Sequence, residues 1–124
     1  MTREFILNTL LPYKEDPSTC GYDIHEKLCL YLTNDKKRCA VGKHLIEGEH
    51  LKYCGNVNEL FDFYEKEDIL TQEALDQDLP DFVWTAMQDY HDSIAMKRDK
   101  VLLNAYVKKI ESSTRFEFPE LYFN

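Results

Sequence analysis

From Pro80 to Glu111 the chain reads PDFVWTAMQDYHDSIAMKRDKVLLNAYVKKIE, and this stretch decides the fold class. Pro80 suits a first helical position, where its missing N–H would have had no intrahelical partner. Asp81 puts a negative charge in the first turn, which the helix dipole favours. Val83, Met87, Tyr90 and Ile94 then recur at helical spacing and form a core stripe. Trp84, Gln88, His91 and Ala95 form a neighbouring stripe. A further helix is expected over about 97–111, with Val101, Leu102, Ala105, Tyr106 and Ile110 inward. The two form either one long helix or a pair broken near Ser93.

Upstream, Thr2 can cap a first helix with apolar positions Phe5, Ile6, Leu7, Leu10 and Leu11. Pro12 and Pro17 end or kink it, and residues 13–21 read as loop. Leu28–Thr33 is rich in residues that fit a sheet, Asn34–Lys37 is a hydrophilic turn, and Arg38–Val41 is the expected returning strand. Gly42 then turns the chain into a short helix around 43–47, which makes 28–47 a hairpin–helix unit. Asn58 and Thr71 can each cap a short helix. The expected fold is therefore α+β, a mostly helical single domain over 1–124 with one small two-stranded hairpin.

Charge divides the chain. Its 124 residues carry a net charge of −8, and residues 56–92 alone hold eleven acids against one base, Lys66. Such a segment opposes direct binding to a nucleic-acid backbone, which needs basic side chains to displace counterions. It suits either a well-solvated face or a partner with a basic surface. No apolar run approaches the roughly 20 residues that cross a bilayer, so no membrane partner is expected. The first residues do not resemble a secretory leader, and the four cysteines read as reduced thiols in a cytosol. The tail, 113–124, holds five large apolar residues from Phe116 onward. It is expected to dock on its own domain, with pairing to a second copy as the other option.

Three constellations could carry chemistry. Cys39 precedes a Gly-led helix start between Arg38 and Lys43, a setting that favours a thiolate, and His91 or His44 could act as its base. A small buried cysteine behind a hairpin is the plainer alternative. Asp92 is the immediate neighbour of His91, about 100° around the helix, so Gln88 is the better expected partner for that ring. Secondly, Cys20/His25, Cys39/His44 and His50/Cys54 are short pairs of the ligand types zinc prefers, although none has the tight spacing of a finger or ribbon. Thirdly, Trp84, Gln88 and His91, with Arg38 nearby, could line a pocket for a planar polar ligand, or could simply pack with their polar tips satisfied. No phosphate-binding glycine loop is present, and no cofactor is expected.

Arg38-Cys39-Ala40-Val41-Gly42 and Met87-Gln88-Asp89-Tyr90-His91-Asp92 together resemble a group of small, functionally uncharacterised proteins of tailed phages and bacteria. In that group a Cys-Ala-(Val/Ile)-Gly turn precedes a Leu-Gln-x-x-His-Asp helix. This chain has Met87 in place of the usual Leu, and the match spans about residues 1–92. The resemblance implies a phage or bacterial cytosolic protein and no particular reaction. The expectation is thus a non-enzymatic protein-interaction module that modulates a host protein. A small-ligand binder or thiol enzyme using Cys39, Gln88 and His91 is the second reading, and a zinc-stabilised domain is the third.

Overall fold

The computed structural model describes residues 2–23, 25–26 and 28–124. Helix α1 (Thr2–Glu15) leads into a short antiparallel hairpin, β1 (Tyr22–Asp23) with β2 (Leu28–Cys29). Four further short or long helices and one last one follow: α2 (Val57–Phe63), α3 (Lys66–Ile69), α4 (Gln72–Asp76), α5 (Asp81–Ala95) and α6 (Lys100–Thr114). The fold is mostly helical α+β, 60% helix with this one hairpin among the described residues. The core is built around α5, which packs against α1, α2 and α6. Val83, Met87 and Tyr90 of the expected stripe are fully buried, and so is most of its neighbour, Trp84 and His91.

The hairpin is displaced from its expected place. Leu28 and Cys29 do form a strand, but their partners are Tyr22 and Asp23, and Arg38–Val41 has no strand partner among the described residues. Asp23 explains the upstream turn, because its carboxylate accepts from the His25 and Glu26 N–H groups at 2.8 and 3.0 Å. The expected helix near 43–47 shrinks to one 3₁₀ turn, Gly42–His44. That turn lies against Tyr31, and a Cβ at residue 42 would collide with the Tyr31 carbonyl, so glycine is required there.

Helix ends follow local chemistry. Thr2 lies inside α1 and donates its hydroxyl to Gln77 at 3.0 Å instead of capping. Pro12 is exposed and sits within α1, where water can satisfy the carbonyl left without its N–H partner. Asn56, two residues before the expected cap, closes a reciprocal capping box with Glu59 on α2. Thr71 caps α4 as expected. The α5–α6 break falls at 96–99 and not at Ser93: Lys97 adopts φ 57°, and the Lys97 and Arg98 N–H groups return to the Ile94 and Ser93 carbonyls.

Helix α6 turns inward only part of the face expected: Ile110 is buried and Tyr106 half-buried, but the rest of that set is not. Leu103, Val107 and Ile110 are buried, whereas Val101, Leu102 and Ala105 are exposed. The tail docks on its own chain. Phe118 and Leu121 are fully buried, Tyr90 donates its hydroxyl to the Leu121 carbonyl at 2.7 Å, and Arg3 pairs with Glu120 at 2.7 Å.

Candidate functional site

The two sequence motifs meet in space. The Val41 N–H donates to Gln88 Oε1 at 3.0 Å, which fastens the Cys-Ala-Val-Gly turn to α5. Gln88 Nε2 donates to Asp92 Oδ1 at 2.7 Å, four residues along the helix. The same oxygen lies 2.8 Å from His91 Nδ1. On the other side of the ring, the Gly21 N–H donates to His91 Nε2 at 2.9 Å. Tyr13 of α1 sets its ring edge-on against the imidazole, centroids 4.5 Å apart, and donates its hydroxyl to the Arg38 carbonyl at 2.7 Å. One buried network therefore ties α1, residues 20–21, residues 38–42 and α5 together.

These contacts fix the proton. Nε2 accepts from a backbone N–H, so it carries no proton, and the neutral ring holds its proton on Nδ1, aimed at Asp92. Asp92, set aside on helical geometry, is thus the group that orients His91, and Gln88 acts one step further out. The reason is the Gly21 N–H: holding Nε2 on one side swings Nδ1 along the helix surface towards the adjacent carboxylate. The backbone comes this close because residue 21 is glycine; a Cβ there would collide with the Cys39 nitrogen.

Cys39 is buried, with the Gly42 N–H donating to its sulfur at 3.3 Å. Burial pushes its thiol up to about 12, opposed by the Gly42 hydrogen bond and reinforced by the Asp92 charge. This is the reverse of the thiolate expected from Arg38, Lys43 and a helix start. Arg38 is committed elsewhere, donating to the Gly42 and Leu45 carbonyls at 3.0 and 2.9 Å and pairing with Glu47 at 2.7 Å. Trp84 is 1% exposed and packs edge-on against Phe5, His44 and Phe61.

Among the described residues, none of the expected metal pairs belongs to a group of three or more metal-type donors. Cys20 is buried and His25 exposed; Cys54 is exposed and His50 buried, lying 2.6 Å from the Ile46 carbonyl through Nε2. His44 Nε2 contacts Thr9 Oγ1 at 2.7 Å. The Thr9 hydroxyl already donates to the Phe5 carbonyl, so His44 is the donor and carries its proton on Nε2. Among the described residues, the three donors that do come together are Cys29, His91 and Asp92, within 4.8 Å of one another. Cys29, which sequence reasoning passed over, lies beside Asp92, and burial together with that carboxylate raises its thiol. A cation at His91 Nδ1 would need the ring stripped of its last proton, since Nε2 is held as an acceptor by Gly21. The donor set therefore fits a hydrogen-bond hub better than a metal centre.

The cleft beside Cys29, Gln88 and Asp92 has a volume of about 80 Å³. That is room for water, well below the few hundred Å³ of an organic-ligand site. No family model matches the chain, and no curated protein or solved structure does either.

Proposed function

We propose that the chain is a non-catalytic protein-interaction module of a phage or bacterium, acting in the cytosol on a host protein, and that residues 57–82 meet a partner with a basic surface. The observation that carries this reading is the exposure of two phenyl rings in an acidic field. Phe63 is 70% exposed and Phe82 58%, and Asp62, Glu65 and Asp81 beside them are exposed too. A buried phenylalanine gains about 2 kcal/mol over an exposed one, so a partner that covers these rings recovers stabilisation that folding leaves unused. Aromatic side chains are enriched at interfaces for this reason. The surrounding carboxylates steer a basic surface onto the rings and speed its arrival. Lys66, the one base of the 56–92 segment, is paired with Asp81.

The buried Cys39 thiol and the small volume beside it support a non-enzymatic role over a thiol enzyme. The test uses the immobilised chain to capture proteins from host lysate. The expected result is a retained protein that elutes as salt rises and is missing when Phe63→Ser/Phe82→Ser is the bait. Capture of the same proteins by both baits contradicts the reading.

A further inference from the structure

Met96, Val101 and Leu102, 39%, 74% and 38% exposed, crowd into the seven residues of the α5–α6 corner. Their exposure belongs to a closed turn, not a frayed one. Lys97 takes the left-handed conformation, the Arg98 N–H returns to the Ser93 carbonyl at 2.8 Å, and the Asp99 carboxylate accepts from the Val101 and Leu102 N–H groups at 2.9 and 3.1 Å. The corner also reverses the sign of the chain. Residues 93–110 hold five bases and a single acid, in a protein of net charge −8. That acid, Asp99, is engaged as the α6 cap. Lys97, Arg98, Lys100, Lys108 and Lys109 form no ion pair among the described residues. Two helical turns separate Val101 from Lys108, so Lys108 and Ala105 share the Val101 face of α6.

We propose that this corner docks on an anionic lipid surface. Met96, Val101 and Leu102 enter the headgroup layer, while Lys97, Arg98, Lys100 and Lys108 lie against acidic headgroups. Such contact is peripheral. It needs no spanning helix, and among the described residues none is long and apolar enough to cross a membrane. The corner escapes a reading based on apolar run length because its three apolar residues are split by a helix break and interleaved with bases.

The test is co-sedimentation of the full chain with vesicles of phosphatidylcholine, alone or mixed with phosphatidylserine. The expected result is binding to the mixed vesicles only, weakening as salt rises. Val101→Ser/Leu102→Ser and, separately, Lys97→Ala/Lys100→Ala are each expected to lower the partition about tenfold. Both pairs are exposed, and far-ultraviolet circular dichroism checks that each variant keeps the fold. Failure of the wild-type chain to sediment with the mixed vesicles overturns the proposal, and so does binding that both variants retain.

Discussion

His91 and Gln88 were singled out in the sequence as candidates for chemistry, and each has its polar atoms engaged inside the protein. Gln88 holds the Val41 N–H and Asp92, while His91 holds Gly21 and Asp92. Gln88→Ala leaves a buried N–H without an acceptor and is expected to cost about 1–3 kcal/mol in urea unfolding. A loss near zero would mean the contact is replaced by water. His44 gives a pH-dependent test. Burial, then the neighbouring Lys43 charge, pulls it from 6.5 down to about 4. The unfolded chain takes up this proton as pH falls through 6.5, and the folded chain only near 4. The stability His44 confers is therefore full above 6.5 and drains between 6.5 and 4. Wild-type urea midpoints are expected to fall more steeply across that window than those of His44→Gln, and parallel curves would refute the assignment. What the sequence left open at this scale was direction. Residue types and spacing brought Cys39, Gln88 and His91 into view, but the tautomer depends on Gly21, 70 positions away from the ring it binds.

At the scale of elements, periodicity was most informative where one face alone was apolar. Helix α5 met its expected core because the Val83, Met87, Tyr90, Ile94 stripe had one competitor, Trp84–His91, and both turned inward. Helix α6 offered two apolar stripes. Val101, Leu102 and Ala105 lie at helical spacing, as do Leu103, Val107 and Ile110, and docking on α5 chose the second set, of which only Ile110 was expected inward. The hairpin was misplaced for a related reason. Leu28–Thr33 reads as a strand by composition, but sheet pairing needs a partner in register, and the Asp23 turn supplied one upstream. Residues 38–42, left without a ladder, satisfy backbone groups through Gln88 and Cys39 side chains. The end of α6 carries its own prediction. Arg115 holds φ 65° at the cap, is exposed, and makes no side-chain hydrogen bond among the described residues. Arg115→Gly is expected to raise stability by up to about 1 kcal/mol, read from the shift in thermal midpoint. A lowered midpoint would show that the arginine side chain contributes a contact.

Over the whole molecule, the aromatic tail completes the core instead of remaining free. Phe118 and Leu121 close over α1, α5 and α6, with Arg3, Tyr90 and Asn104 binding the tail backbone. Phe118→Ala is expected to cost about 3–5 kcal/mol, a large part of the stability of a domain this size. An unfolding midpoint unmoved by that change would place the tail outside the folded unit. The hub at His91 matters at the same scale, because it joins the irregular 20–42 region to the helical core. Its central feature is a neutral imidazole with the proton on Nδ1 and Nε2 accepting from Gly21. A long-range ¹H–¹⁵N correlation spectrum of the histidine rings near neutral pH tests this most directly. The structure predicts a protonated Nδ1 and an unprotonated, hydrogen-bonded Nε2 for His91. A proton on Nε2, or a ring averaging between tautomers, would contradict the hub.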